Sequence, residues 1–270
     1  MVEEIPGRVI FTNNPLVEVV GQVRFPMQLE IDQIAPVEFQ KRITSAYPNL
    51  QVQELKTISL FFDAEKGESA RESEAKSKIY LFSDPQNIWR THLSSNAMTL
   101  TCVRYGNWEE FRERFTFITS ALLDIYPSIQ HIERIGLRYH DIILKSKLKT
   151  KAKWGSLVPP FLLGPTVPKG LSGIREISAG SIKEFQSVIR LTLDENGFSD
   201  GLHLQYGLVR SKKTDEEAFR MDFDFYNEQA RGFDHDDIFR VFNRLHGYAY
   251  RVFIHCITPK LYGLLGPRAP

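Results

Sequence analysis

The chain has 270 residues, enough for one large or two small domains, and 42% of them are apolar, an ordinary globular fraction. Thirty-four Lys and Arg stand against 33 Asp and Glu, so net charge steers the chain toward neither nucleic acid nor an anionic membrane. No apolar run reaches the ~20 residues of a membrane span, and Met-Val-Glu-Glu-Ile-Pro has neither the basic start nor the apolar stretch of a signal peptide, which points to the cytoplasm.

The two cysteines, Cys102 and Cys256, are far apart and lie in apolar segments, as reduced core thiols do. Residues 1–15 read as an irregular arm. Over 17–25, Val17, Val19, Val23 and Phe25 alternate with Glu18, Gln22 and Arg24, which predicts a strand ended by Pro26. Pro36 opens a short helix through Tyr47, with Phe39, Ile43 and Tyr47 at spacing four. Strands are expected over 51–62, 78–82, 88–93 and 97–105. Residues 63–76, charged and without periodicity, read as a mobile hairpin loop.

A helix follows over 107–126. Trp108, Phe111, Phe115, Ile118, Leu122 and Ile125 fall three or four apart on one stripe, and Glu109, Arg112, Glu113 and Thr116 lie opposite. Asn107 can cap its first turn, and Pro127 stops it. The strand over 131–144 puts Ile135, Leu137 and Tyr139 on one face and Arg134, Arg138 and His140 on the other. Lysines at 145, 147, 149, 151 and 153 suggest a solvated strand end, and the proline-rich stretch 154–172 has room only for a short helix at 155–163. Strands are expected at 173–185, 188–194, 202–209 and 218–226. A last helix starts near Asp236, with Ile238, Phe242, Leu245, Ala249, Val252 and Cys256 on one stripe.

The two halves, 16–127 and 131–265, thus share one order of elements, β-α-β4-α. The fold class is α+β. The expected form is a single domain in which duplicated halves build one large antiparallel sheet of about ten strands with two long helices on one face. The alternative is a helix-grip-like barrel around one long helix.

No nucleotide, hydrolase or zinc-protease motif is present, and there is no Cys-x-x-Cys pair. His235-Asp236-Asp237 reads as the acidic start of a helix rather than a metal cluster. Trp89, Trp108 and Trp154 read as core anchors. No catalytic residue, metal ligand or cofactor is assigned. The residues opposite the apolar stripes lean toward Arg, His and Gln, side chains suited to planar recognition. Arg24, Arg90, Arg134, Arg138, His140, Arg190, Gln205 and Arg220 are the candidate binding residues. Arg134 and Arg138 are central, unless they pair with Asp222 or Asp224 and are structural.

Several stretches carry a resemblance: Asn14-Pro-Leu-Val-Glu-Val-Val20 with Val23-Arg-Phe-Pro26, Phe39-Gln40, Tyr47-Pro48, Trp108-Glu-Glu-Phe111, Arg134-Ile-Gly-Leu-Arg-Tyr139 and Leu245-His246. Across nearly its whole length the chain resembles a sporadically distributed bacterial family of comparable length, defined by sequence and without an assigned activity. The resemblance implies an accessory protein of the bacterial cytoplasm. At His140-Asp141 the family more often has an aliphatic residue followed by Asn or Asp, which argues against a catalytic His140. A non-enzymatic binding or interaction module, using the open sheet face or a homodimer surface toward a protein or polar ligand, is the first expectation. A small-ligand binder or enzyme with a pocket between sheet and helix is the second. A nucleic-acid binder, by analogy with the saddle of the TATA-binding protein, is the third.

Overall fold

The computed structural model describes residues 9–61, 71–166, 171, 174, 182–195, 197–211 and 214–269. In chain order the strands and helices are β1 (Ile10–Phe11), β2 (Leu16–Arg24), α1 (Leu29–Gln33), α2 (Val37–Ile43), β3 (Asn49–Phe61), β4 (Arg71–Ser83), β5 (Trp89–Ser94), β6 (Ala97–Cys102), α3 (Trp108–Ile125), β7 (His131–Ile132), β8 (Arg134–Leu144), β9 (Ser187–Glu195), β10 (Phe198–Arg210), β11 (Glu217–Asn227), β12 (Arg231–Gly232), α4 (His235–His255), α5 (Pro259–Leu265) and β13 (Pro267–Arg268). The fold is α+β. Nine strands form one antiparallel sheet in the order β3-β4-β5-β6-β2-β8-β11-β10-β9. Among the described residues no sheet closes on itself, so the barrel alternative falls.

The chain divides into two compact units. The first holds residues 20–135 and 229–237; the second holds the remainder, 1–19, 136–228 and 238–270.

In the first unit α3 is built as its sequence dictates. Asn107 Oδ1 accepts the Glu110 N–H at 2.8 Å, closing the first turn. Trp108, Phe111, Phe115, Ile118 and Leu122 are buried, and Glu109, Arg112 and Glu113 are exposed. The stripe covers the inner faces of β5 and β6, where Trp89, Leu93, Met98, Leu100 and Cys102 are all buried. Gly21 on β2 is where the helix comes closest. A Cβ there would stand 2.9 Å from the Phe111 ring, so only glycine lets the aromatic reach the strand. Leu122→Ala is therefore expected to cost roughly 2–5 kcal/mol and Arg112→Ala under about 0.5 kcal/mol in a denaturant titration. Equal losses would contradict the assignment of the helix face.

In the second unit β11 alternates Phe219, Met221, Phe223 and Phe225 inward. Leu202, Leu204, Tyr206 and Leu208 of β10 join them. Helix α4 buries Ile238, Phe242, Leu245 and Ala249, and Cys256 just past its end is buried too. Trp154 is buried as well, packed 5.6 Å from the Phe219 ring. Cys102 and Cys256 are buried and free, and burial pushes their thiols up to about 11 and about 12, so both are inert at neutral pH.

Four expectations change in detail. Strand β4 starts at Arg71, inside the stretch expected to be a loop, because Arg71–Ser83 pairs residue for residue with Asn49–Phe61; residues 62–70 lie outside the described ones. The strand expected over 173–185 is not found in its described part: 182–185 is irregular backbone, and 175–181 lies outside the described residues. The lysine run is not a strand end, since β8 stops at Leu144 and a turn follows. In that turn Lys145 lies 3.4 Å from the Glu217 carboxylate and 4.4 Å from the centre of the Trp154 ring. The short helix at 155–163 is instead a series of 3-10 turns at Trp154–Ser156, Pro160–Leu162 and Gly164–Thr166.

Candidate functional site on the outer sheet faces

The outer side chains of each unit form a polar layer opposite the apolar one. In the first unit Arg134 donates from Nη1 to Gln22 Oε1 at 3.2 Å, and Gln22 Nε2 donates to Thr99 Oγ1 at 3.2 Å. Thr99 is the cross-strand partner of His92, and Arg90 that of Thr101. Burial, with the nearby Arg90 charge, holds His92 below its ordinary pKa. Arg24 stands exposed at the end of β2. The first unit thus holds Arg24, Arg90 and Arg134, and the second holds the other five candidates.

In the second unit the register sets the rows. His203 of β10 faces Arg190 of β9 on one side and Asp224 of β11 on the other. Gln205 faces Val188 and Asp222 in the next row. Arg138 of β8 grips Asp222 in a two-pronged contact, with Nε to Oδ1 and Nη2 to Oδ2 both at 2.6 Å. Burial works to raise the Asp222 carboxyl, and the Arg138 hydrogen bonds and charge outweigh it, holding it below the usual carboxylate range. Arg138 thus makes the Asp222 pairing that its structural alternative requires, with a carboxylate whose side chain is 6% exposed. Arg134 has Gln22 among its partners.

Two further side chains stand on this face. Arg220 donates from Nη2 to Gln205 Oε1 at 2.9 Å, and that oxygen also accepts Gln186 Nε2 at 3.1 Å. Among the described residues Gln205 is the one hydrogen-bond partner of Arg220, so most of its five N–H donors point to solvent or a partner. His140 sits beside it on β8. Its Nε2 is enclosed and meets no hydrogen-bond partner among the described residues, and the same holds for Nε2 of His203. Burial holds His140 below its ordinary pKa; Asp222 opposes this, and Arg138 and Arg220 reinforce it. The imidazole is therefore neutral at pH 7, with Nε2 free to donate or accept according to tautomer.

Other arrangements are structural. Asp234 Oδ1 accepts the Asp237 N–H at 2.7 Å, and Asp237 also takes an ion pair from Arg231 at 3.0 Å, while His235 Nε2 lies 2.9 Å from Thr119 Oγ1. The acids at the start of α4 are thus capping and pairing groups. No set of three His, Cys, Asp or Glu among the described residues is placed to hold a metal. A cavity of about 300 Å³ lies at the end of β8. Its lining is Thr12 to Pro15, Ile142 to Leu144, Lys147, Leu148 and Leu265, with no residue of α3 or α4. It is not the pocket between sheet and long helix that a helix-grip protein requires.

Sequence reasoning missed Asp200, which anchors a buried polar cluster in the second unit. The Asp200 carboxylate accepts Arg244 Nε at 2.6 Å, Arg244 Nη2 at 3.0 Å and Asn227 Nδ2 at 2.8 Å, with its side chain 0% exposed. The signal was present but ambiguous: Ser199-Asp-Gly201 reads as a turn. It is mid-strand because Gly201 receives the Tyr226 ring, whose atoms would lie 2.2 Å from a Cβ.

No protein-family model and no curated protein sequence matches the chain. No helix among the described residues is long and apolar enough to cross a membrane.

Proposed function

We propose that the chain is a non-enzymatic binding module that works through the outer face of β8, β11 and β10. The observation that carries this reading is Arg220: half-buried, held in place by one contact to Gln205, and with the rest of its donors unspent. A guanidinium fixed in this way presents a planar set of N–H groups, which suits a carboxylate on a partner protein or polar ligand. Arg138 supports the site by neutralising Asp222, so that the acid does not compete for Arg220. His140, neutral and with its enclosed Nε2 meeting no hydrogen-bond partner among the described residues, lies beside Arg220 and reports on its surroundings. Among the described residues none on this face pairs a nucleophile with a base, which favours a reading of binding over catalysis.

A glutamate-rich peptide is the test ligand. Titrated into the protein, it is expected to move the imidazole signals of His140 in an NMR spectrum and to leave those of His255 unchanged. Arg220→Gln should abolish the response while the melting temperature stays within a few degrees, because Gln205 keeps a partner in Gln186. A response of equal size in Arg220→Gln, or none in the parent protein, would refute the reading.

A further inference from the structure

The sheet ends at β9, and its outer edge is open: among the described residues no strand pairs with it beyond β10. Edge strands that stay monomeric are short or interrupted, or carry lysine or proline to repel another edge. Strand β9 has none of these devices. Ser187–Glu195 runs nine residues without lysine, proline or glycine. Its inward side carries Ile189, Leu191 and Leu193, and among the described residues this apolar stripe reaches the edge uncovered, with Leu191 42% exposed. On the outward side Val188 is 52% exposed. A long apolar edge with unpaired N–H and C=O groups calls for a further strand.

The sequence of β9 identifies that strand. Arg190 and Asp194 are exposed, lie on one face four residues apart and have no ion-pair partner among the described residues. If β9 pairs antiparallel with itself about a two-fold axis through Thr192, Arg190 of each copy stands opposite Asp194 of the other. In the same register Leu191 stands opposite Leu193 on the inner face, and Thr192 opposite Thr192. Both faces match over the five central residues: charge meets opposite charge outside, and leucine meets leucine inside. Centring the pair on Leu191 instead places Arg190 opposite Thr192 and Val188 opposite Asp194, leaving both charges unmatched.

We infer that β9 is a homodimer edge, at which two copies join their sheets through antiparallel β9–β9 pairing centred on Thr192, with reciprocal Arg190–Asp194 contacts. The interface is isologous, so each contact occurs twice. It is independent of the Arg220 reading, because Arg220 and His140 lie on β11 and β8, away from this edge.

The charges supply the test. Sedimentation of the full chain over a concentration series should show a monomer–dimer equilibrium. Arg190→Asp places two carboxylates opposite each other twice over and is expected to weaken dimerisation by about tenfold or more. Asp194→Arg should do the same through guanidiniums. The double change Arg190→Asp with Asp194→Arg restores opposite charges in a homodimer and should recover the parent affinity. Mixing the two single variants should also give a mixed dimer, because a carboxylate of one copy then faces a guanidinium of the other at both contacts. Circular dichroism melts of each variant verify that the monomers are folded. A parent chain that stays monomeric at the highest soluble concentration overturns the inference. So does a dimer that tolerates Arg190→Asp, or a double variant that fails to recover.

Discussion

Asp200→Ala is expected to cost about 3–5 kcal/mol, the largest loss of any single polar substitution in the second unit. The carboxylate is enclosed, and it receives three hydrogen bonds, two from the Arg244 guanidinium of α4 and one from the Asn227 amide. Removing it takes two hydrogen bonds from a guanidinium whose side chain is only 18% exposed, and it takes one from the buried Asn227. The loss reflects the removal of a counter-charge from an enclosed site more than the intrinsic strength of the pair. Arg244→Ala should therefore cost a similar amount, since it leaves the carboxylate buried with one neutral donor. Replacing both groups by leucine should recover a good part, because the desolvation of two charges disappears together. Truncating the exposed pair Lys41–Glu38, whose side chains are 66% and 65% exposed, should cost under about 0.5 kcal/mol. Urea titrations at constant slope decide the matter. If Asp200→Ala falls with the exposed pair, the triad does not anchor α4.

That triad also marks where sequence reading stops. The elements with a strong period were legible: α3 from Trp108, Phe111, Phe115, Ile118 and Leu122, and β11 from four alternating aromatic and methionine positions. Their periods follow from a single buried face, which sequence alone records. Asp200 and Arg244 are 44 residues apart, and nothing local says that they meet. Gly201 compounds the problem. A glycine after aspartate reads as a turn, and only the cross-strand Tyr226 ring explains it. Strand β4 was read short for a related reason. Residues 71–76 are charged and without alternation, and their pairing with β3 comes from register propagated along the ladder, not from a pattern of their own.

The strand placement of the candidate residues was legible in the sequence, and their partners were not. All eight candidates lie on described strands, but composition cannot say which guanidinium is spent. Arg138 and Arg220 are both strand arginines flanked by apolar residues. The structure separates them by one neighbour, the Asp222 carboxylate that Arg138 holds twice. The same pairing predicts that Arg138→Ala destabilises the fold, by roughly 1–3 kcal/mol given the partial exposure of the guanidinium, where Arg220→Gln does not. Melting temperatures of the two variants, compared side by side, test the division.

Asp141→Asn is expected to stabilise the protein, and the gain should depend on pH with a definite sign. Asp141 lies on the inward side of β8 and is 4% exposed. Burial, helped by the Asp222 charge, pushes its carboxyl up to about 8 from 3.8. A raised carboxyl pKa means that the folded protein holds a proton the unfolded chain releases. Its contribution to stability is therefore intact below about pH 4, is lost progressively as pH rises toward 8, and stays lost above that. Asparagine keeps the shape and removes the titration. The difference in stability between Asp141→Asn and the parent should be small at pH 4, grow through neutrality and level off above pH 8, where it reaches several kcal/mol, or roughly 5–15 °C in melting temperature. Taking the difference cancels the other groups, including His140, whose lowered pKa makes the fold lose stability in the opposite direction, on acidification below its ordinary value. The neighbouring thiol gives an independent reading. Cys256 is pushed up by burial and, after it, by the Asp141 charge, so Asp141→Asn should lower its pKa and speed its reaction with a small disulfide reagent at alkaline pH. A parent and variant that melt in parallel from pH 4 to pH 9 would mean that Asp141 is ionised in the folded protein throughout.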